Sequence, residues 1–185
     1  MKEKIIQESI LLFEKKGFSE TSIQDIVEAL GVTKGTFYYY FSSKEQLLMG
    51  IHLGYIDDLL KRQAAIQASP AANRQKLHQM VQLLIADIKE HGPSGRVFFR
   101  EMRHLAKDNA GAVKAKREEF RMNIEKLLAE GIEKGEFRED VKPDMVAFAV
   151  LGITNWSYQW FNPAGEVSAE NLAEIYSDLI LNGIS

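Results

Sequence analysis

Lys34-Gly35-Thr36-Phe37-Tyr38-Tyr39-Tyr40-Phe41 sets five aromatic side chains in succession behind a small-residue start. At 3.6 residues per turn they cannot all face inward. Phe37 and Phe41, four apart, share one face and suit a buried underside. Tyr38 and Tyr39 must then point elsewhere, with Tyr40 between. A phenol has a flat apolar face and a hydroxyl that can donate to a phosphate oxygen. Gly35 permits close backbone approach, and Thr36 can meet a base edge or a thymine methyl group. Helices beginning at Ser22, Thr33 and Ser43 would expose unpaired N–H groups suited to phosphate, and Lys44 adds a charge at the third. These residues suit contact with a nucleic-acid duplex.

Composition neither requires that chemistry nor forbids it. Net charge is -3, and residues 1–50 hold six lysines against seven acids, whereas a DNA-binding head is more often basic. There is no cysteine, which excludes disulfides, thiolate zinc sites and thiol catalysis and fits a reducing cytoplasm. Lys2 and Lys4 are followed by only a few apolar residues before Glu14, Lys15 and Lys16, so nothing resembles a signal peptide. No apolar run reaches the ~20 residues of a membrane span. His52, His78, His91 and His104 are scattered, and no serine sits in a nucleophile elbow. Glu101-x-x-His104 matches half of a di-iron bundle motif without a second pair. The expectation is a cytoplasmic binding protein, not an enzyme, with no cofactor, no metal and no membrane partner.

The elements that must position these residues are helices throughout, since helical spacing recurs and period-two alternation does not. A first helix is expected from about Lys2 to Lys16, with Gly17 as a left-handed cap. A second opens with the capping box Ser22-x-x-Asp25 and carries the stripe Ile23, Ile26, Val27 and Leu30. Gly31 makes a sharp turn, and Thr33 caps a very short third helix ending near Phe41. Ser42-Ser43-Lys44-Glu45-Gln46 offers two overlapping capping boxes to a long fourth helix reaching about Gln67. A fifth carries Leu77, Val81, Leu84, Ile85 and Ile88 and closes near Pro93. A sixth spans Arg96 to about Ala106, and a seventh Val113 to Lys134. An eighth runs from Pro143 to Phe161, and a ninth is capped by Ser168. The natural boundary lies within the fourth helix rather than at a linker; residues 1–48 and 49–185 are taken as the two domains. Helix, tight turn and short helix are the parts of a helix-turn-helix, whose second helix can enter a major groove.

Phe18-x-x-Thr21-Ser22-Ile23-x-x-Ile26, followed by Gly31-Val32-x-Lys34-Gly35-Thr36-Phe37-Tyr38-x-Tyr40-Phe41-x-x-Lys44-x-x-Leu47-Leu48, resembles the N-terminal signature of the tetracycline-repressor (TetR) family of transcriptional regulators. It covers roughly residues 5–50. The resemblance implies an all-α chain of about nine helices: a three-helix DNA-binding domain and a helical ligand-binding and dimerisation domain. It implies that Thr36, Tyr38, Tyr39, Tyr40 and Lys44 line the DNA, with Tyr38 and Lys44 on phosphates. Gln24 falls where relatives often contact a base or phosphate, and Lys34 at a position of variable identity suited to sequence reading. With Ser22, Thr33 and Gly35 these make the candidate DNA set.

Family architecture further implies a homodimer in which the last two helices pair with their symmetry mates, through Phe148, Gly152, Trp156, Leu172, Ile175, Tyr176, Leu179 and Gly183. Two heads about 34–36 Å apart would match successive major-groove faces of a palindromic operator. An apolar effector cavity is expected in the body, and its candidate lining is Met80, Leu84, Phe98, Met102, Arg103, Phe120, Ile124, Trp156 and Trp160. Arg96, Arg100 and Arg103, with His104 alongside, could meet an anionic head group such as that of an acyl-CoA; the alternative is ion pairing on a solvated face. A helical protein that had lost DNA binding would show disruption around residues 31–44, and none is found.

Overall fold

The computed structural model describes residues 1–105 and 107–185, and of residues 107–109 only the backbone. Nine α-helices occur among the described residues: α1 Lys2–Lys16, α2 Ile23–Leu30, α3 Lys34–Tyr40, α4 Lys44–Ala68, α5 Asn73–Glu90, α6 Gly92–Arg100, α7 Lys107–Glu133, α8 Pro143–Trp160 and α9 Ala169–Ile184. A 3-10 turn, Glu101–His104, extends α6. No strand occurs among the described residues.

The chain folds as two compact units, Met1–Asp57 with Pro93–Lys114, and Asp58–Gly92 with Ala115–Ser185. The first unit therefore reaches beyond residues 1–48 and includes most of α6 and the start of α7. Its core holds Ile5, Ile10, Phe13, Ile26, Val27, Phe37, Phe41, Leu47, Leu48, Val97 and Phe98, all buried. Phe98 stacks against His52 and Tyr55, with ring centroids 5.3 and 4.7 Å apart. Arg96 holds Glu14 through two guanidinium nitrogens. Arg100 donates to the Phe13 and Glu14 carbonyls at 2.5 and 2.8 Å, satisfying acceptors at the end of α1.

Local chemistry explains most boundaries. Ser22 and Asp25 form the reciprocal capping box at α2, and Gly31 ends that helix in the left-handed region at φ 64°, ψ 33°. Gly17 also has positive φ, 89°, but its ψ of 157° is extended rather than a left-handed helical cap. The sixth helix departs from expectation at both ends. It begins at Gly92 because Pro93 fits a first helical turn, where its missing N–H is no loss. It tightens into the 3-10 turn, where Leu105 N–H bonds to the Met102 carbonyl; the expected end near Ala106 lies outside the described residues. The seventh helix begins at Lys107, not Val113.

In the second unit α5 packs against both α8 and α9. Met80, Leu84, Ile85, Phe120, Ile124, Leu128 and Val150 are buried there. A buried polar hub runs through this core. Asp87, fully buried, accepts from Tyr158 at 2.7 Å, lies 3.0 Å from His91 Nδ1 and pairs with Arg62. Gln63 bridges α4 to α7, donating to the Phe120 carbonyl at 2.9 Å and accepting from Asn123 at 2.8 Å.

Gly131 of α7 lies under the Phe137 ring. A Cβ at this position would stand 2.3 Å from that ring, so the aromatic would have to leave its seat. Gly131→Ala should cost the second unit about 1–3 kcal/mol through overpacking, read as a lower urea midpoint by tryptophan fluorescence. An unchanged midpoint would mean that Phe137 repacks freely.

Candidate nucleic-acid interface

The recognition element is built from its underside. Phe37 is fully buried and Phe41 nearly so, their rings 5.8 Å apart, which fixes the roll of α3. That roll leaves Tyr38 54% and Tyr39 81% exposed. Exposure of two tyrosines on a seven-residue helix is not explained by packing. Tyr40 is half-buried and sits edge-on to Tyr39 at 4.8 Å. Lys34 is exposed, with no ion-pair or hydrogen-bond partner among the described residues, and Gly35 is exposed beside it. The helix start is pinned by threonines. Thr33 Oγ1 accepts from Thr36 N–H at 3.3 Å and lies 3.2 Å from Thr36 Oγ1. Thr36 is only half-exposed.

Other candidates are more engaged than their spacing suggested. The Ser22 hydroxyl accepts from Asp25 N–H at 3.1 Å and donates to the Asp25 carboxylate at 2.5 Å, and Ser22 N–H donates to it at 2.7 Å. These bonds, with Lys16 at 3.0 Å, hold the Asp25 carboxyl well below the usual carboxylate range. Gln24 donates to Glu28 at 2.5 Å. Lys44 differs most from a simple phosphate ligand. Its Nζ donates to the carbonyls of Phe18 and Thr21 at 2.6 and 2.7 Å and stands 4.3 Å from the Phe18 ring centroid. Burial pushes its pKa down, opposed by Glu45, Glu20 and Asp25. Two of its three N–H groups are thus spent closing the α1–α2 connection, a role its position in the sequence did not reveal. Ser43 caps α4 by accepting from Gln46 N–H at 3.1 Å, while Gln46 accepts from Ser42 N–H at 2.6 Å.

The remaining candidates divide by unit. Phe98 is buried in the first unit, Met102 is half-buried and Arg103 is exposed. Met80, Leu84, Phe120 and Ile124 are core residues of the second. Trp156 and Trp160 are instead 67% and 53% exposed on α8, facing away from the core of their own chain. On the outer faces of α8 and α9, Phe148, Gly152 and Trp156 share one i, i+4, i+8 line, and Ile175, Leu179 and Gly183 another. All six are exposed. Leu172 is a correction: it is 4% exposed, inside its own chain's core. Tyr176 also turns inward, its hydroxyl 3.0 Å from Ser157 Oγ. Glu101 and His104 are 3.4 Å apart, and no group of three or more metal-ligating side chains converges among the described residues. No helix of the described residues is long and apolar enough to cross a membrane.

A capped helix, a glycine turn and a short, rolled helix with an exposed polar and aromatic face define a helix-turn-helix regulator. Residues 5–50 match the family described as bacterial regulatory proteins, tetR family, and residues 70–184 match the tetracyclin repressor-like C-terminal domain. The HTH-type transcriptional repressor KstR2 of Rhodococcus jostii is 30% identical, over 94% of this chain and 86% of its own. The structure of the TetR family regulator PfmR from Thermus thermophilus superposes with a TM-score of 0.90 at 31% identity, over 96% of this chain and 97% of that one. AibR in complex with isovaleryl coenzyme A and operator DNA gives a TM-score of 0.86 at 25% identity, over 96% of each chain. The chain belongs to the TetR family and is a DNA-binding transcriptional regulator.

Proposed function

We propose that a dimer of this chain binds a palindromic operator in the cytoplasm and represses adjacent genes until a small effector enters the second unit. It acts by binding, not by catalysis. The functional division falls near residue 48, with residues 1–48 reading DNA and 49–185 carrying ligand and partner. The observation that carries the reading is the α3 surface: Tyr38, Tyr39 and Lys34 are held in solvent by a fully buried Phe37 beneath them. Tyr38 supplies a phosphate contact, Thr36 and Lys34 meet base edges, and Gly35 lets the backbone approach. Tyr39 and Tyr40 flank the groove. Helix starts at Ser22 and Thr33 offer backbone N–H groups, and Gln24 would reach DNA by releasing Glu28. Lys44 keeps one N–H for a phosphate.

The effector is apolar or acyl-CoA-like, a reading supported by the isovaleryl coenzyme A bound to AibR. Of the three arginines considered for an anionic head group, Arg96 is held by Glu14 and Arg100 by Glu101 and α1 carbonyls. Arg103 bonds to His104; all three lie in the first unit, so the head group of an effector seated in the second is not assigned to them. Ligand binding would select a dimer state whose heads no longer match both half-sites; coupling of about 1–3 kcal/mol is typical of such switches.

Selection from randomised duplexes identifies the operator, and two variants then separate positioning from reading. Tyr38→Phe should weaken all sequences alike, by about 1 kcal/mol for one hydrogen bond. Lys34→Ala should relax preference at one base pair per half-site by about 1–3 kcal/mol. Recovery of no preferred sequence from the pool would end the proposal.

A further inference from the structure

The first unit contains an open cleft of about 380 Å³ between the end of α1 and the 3-10 turn. Lys15, Lys16, Gly17, Phe18, Ser19 and Glu20 form one wall; Arg100, Glu101, Arg103 and His104 form the other. Its charges are unevenly spent. Lys16 is paired with Asp25 at 3.0 Å. Arg100 is held by the buried carboxylate of Glu101 at 2.8 Å. Lys15 has no ion-pair partner among the described residues, and there Arg103 hydrogen-bonds only to His104, through Nε to Nε2 at 3.3 Å. Against these two cations stands one carboxylate with no ion pair among the described residues, Glu20, whose charge also acts on Lys44.

The surplus is thus one positive charge. The His104 Nε2 lies 3.3 Å from Arg103 Nε and 3.4 Å from Glu101 Oε2. Behind these groups Phe18 stacks on His104 at 5.4 Å and closes the floor.

We propose that this cleft binds a phosphate monoester. Such a group carries about -1.5 to -2 charges at neutral pH, opposite in sign to the surplus, and its three oxygens can accept from Lys15, Arg103 and the Ser19 hydroxyl, all of which line the cleft. A carboxylate would satisfy the arginine fork and leave the lysine idle. The volume leaves room for an organic group against Phe18. This site lies wholly within the first unit and does not depend on the identity of the effector in the second.

The test is calorimetric titration of the full-length protein with phenyl phosphate and, separately, inorganic phosphate at matched ionic strength. Saturable heat at one equivalent per chain is expected with phenyl phosphate. Equal affinity for inorganic phosphate would mark the free anion as the natural occupant, and weaker affinity an ester. Lys15→Ala combined with Arg103→Ala should weaken binding at least tenfold, whereas Glu20→Gln, an exposed and conservative change, should strengthen it severalfold. The second variant keeps the test open should the first fold poorly. Three results would overturn the proposal: no saturable heat with either anion, binding indifferent to both variants, or displacement of the anion by a duplex of arbitrary sequence, which would assign the cleft to DNA.

Discussion

Leu179→Glu should convert a dimer into a folded single chain. Leu179 is 65% exposed, and Trp156, Ile175 and Phe148 are 67%, 55% and 54% exposed. Large apolar side chains lined up on two neighbouring helices are what an isologous interface requires and what a monomer avoids. Gly152 and Gly183 continue the two lines with no side chain, so a partner helix can come close. Arg121, held by Glu118 and Glu125 at 2.5 and 2.6 Å, stands 4.7 Å from the Phe148 ring centroid and supplies a polar edge.

Two-fold symmetry counts the substitution twice. Each leucine side chain withdrawn from an apolar interface forfeits about 1.5–3 kcal/mol, and each glutamate brings a charge that must be desolvated. The dimer dissociation constant should therefore rise by at least about a thousandfold, since every 1.4 kcal/mol is tenfold. Operator affinity should fall with it, by about 10²–10⁴, because the second head then no longer binds intramolecularly. Sedimentation equilibrium reads the first effect and fluorescence anisotropy the second. Helical circular dichroism should be unchanged, because Leu179 makes little of its own chain's core. A variant that still sediments as a dimer at sub-micromolar concentration would place the interface elsewhere.

What was legible in the sequence follows from the range over which each signal acts. Capping boxes, the Gly31 turn and the four-residue spacing of Phe37 and Phe41 are decided within one or two helical turns, and the helices of the head stand where those signals put them. The sixth helix misled because Pro93 reads as a stop while being equally at home in a first turn. Long-range pairings left no local trace. Arg100 reaches α1 carbonyls 86 and 87 positions away, Tyr158 finds Asp87 across 71, and Lys44 finds Phe18 and Thr21 across 26 and 23. The candidate interface set meets a related limit: periodicity marks which residues of α9 are apolar, but Leu172 and Leu179 differ only in what lies opposite them. Burial separates them. Trp156 was open to two readings, cavity lining or outer face, and Trp160 was expected in the cavity lining; in a single chain both take the outer face.

Lys44 carries the second large effect, because one ammonium serves both the fold of the head and its charge. Lys44→Met keeps an apolar stem over the Phe18 ring and removes the donors. The carbonyls of Phe18 and Thr21 then lose their partner beside a buried Thr21, whose own hydroxyl already donates to the Gly17 carbonyl at 2.8 Å. Hydrogen bonds from a charged group contribute about 1.5–3 kcal/mol each. With part of that returned by water at a half-exposed site, the head should lose about 2–4 kcal/mol of local stability. Both tryptophans, Trp156 and Trp160, lie in the second unit, so fluorescence would miss this; hydrogen exchange at the amides of residues 21–27 would register it. The remaining N–H predicts a separate effect on binding: one phosphate contact fewer per head should lower the salt slope of operator affinity by about 0.9 for each head. The two readouts are independent. Faster exchange with an unchanged slope would make Lys44 a clamp alone, a changed slope with unchanged exchange would make it a phosphate ligand alone, and the two bonds at 2.6 and 2.7 Å would then contribute nothing to the head. The geometry predicts both changes together, because a side chain that closes the connection into α2 also holds its third donor at the start of α4.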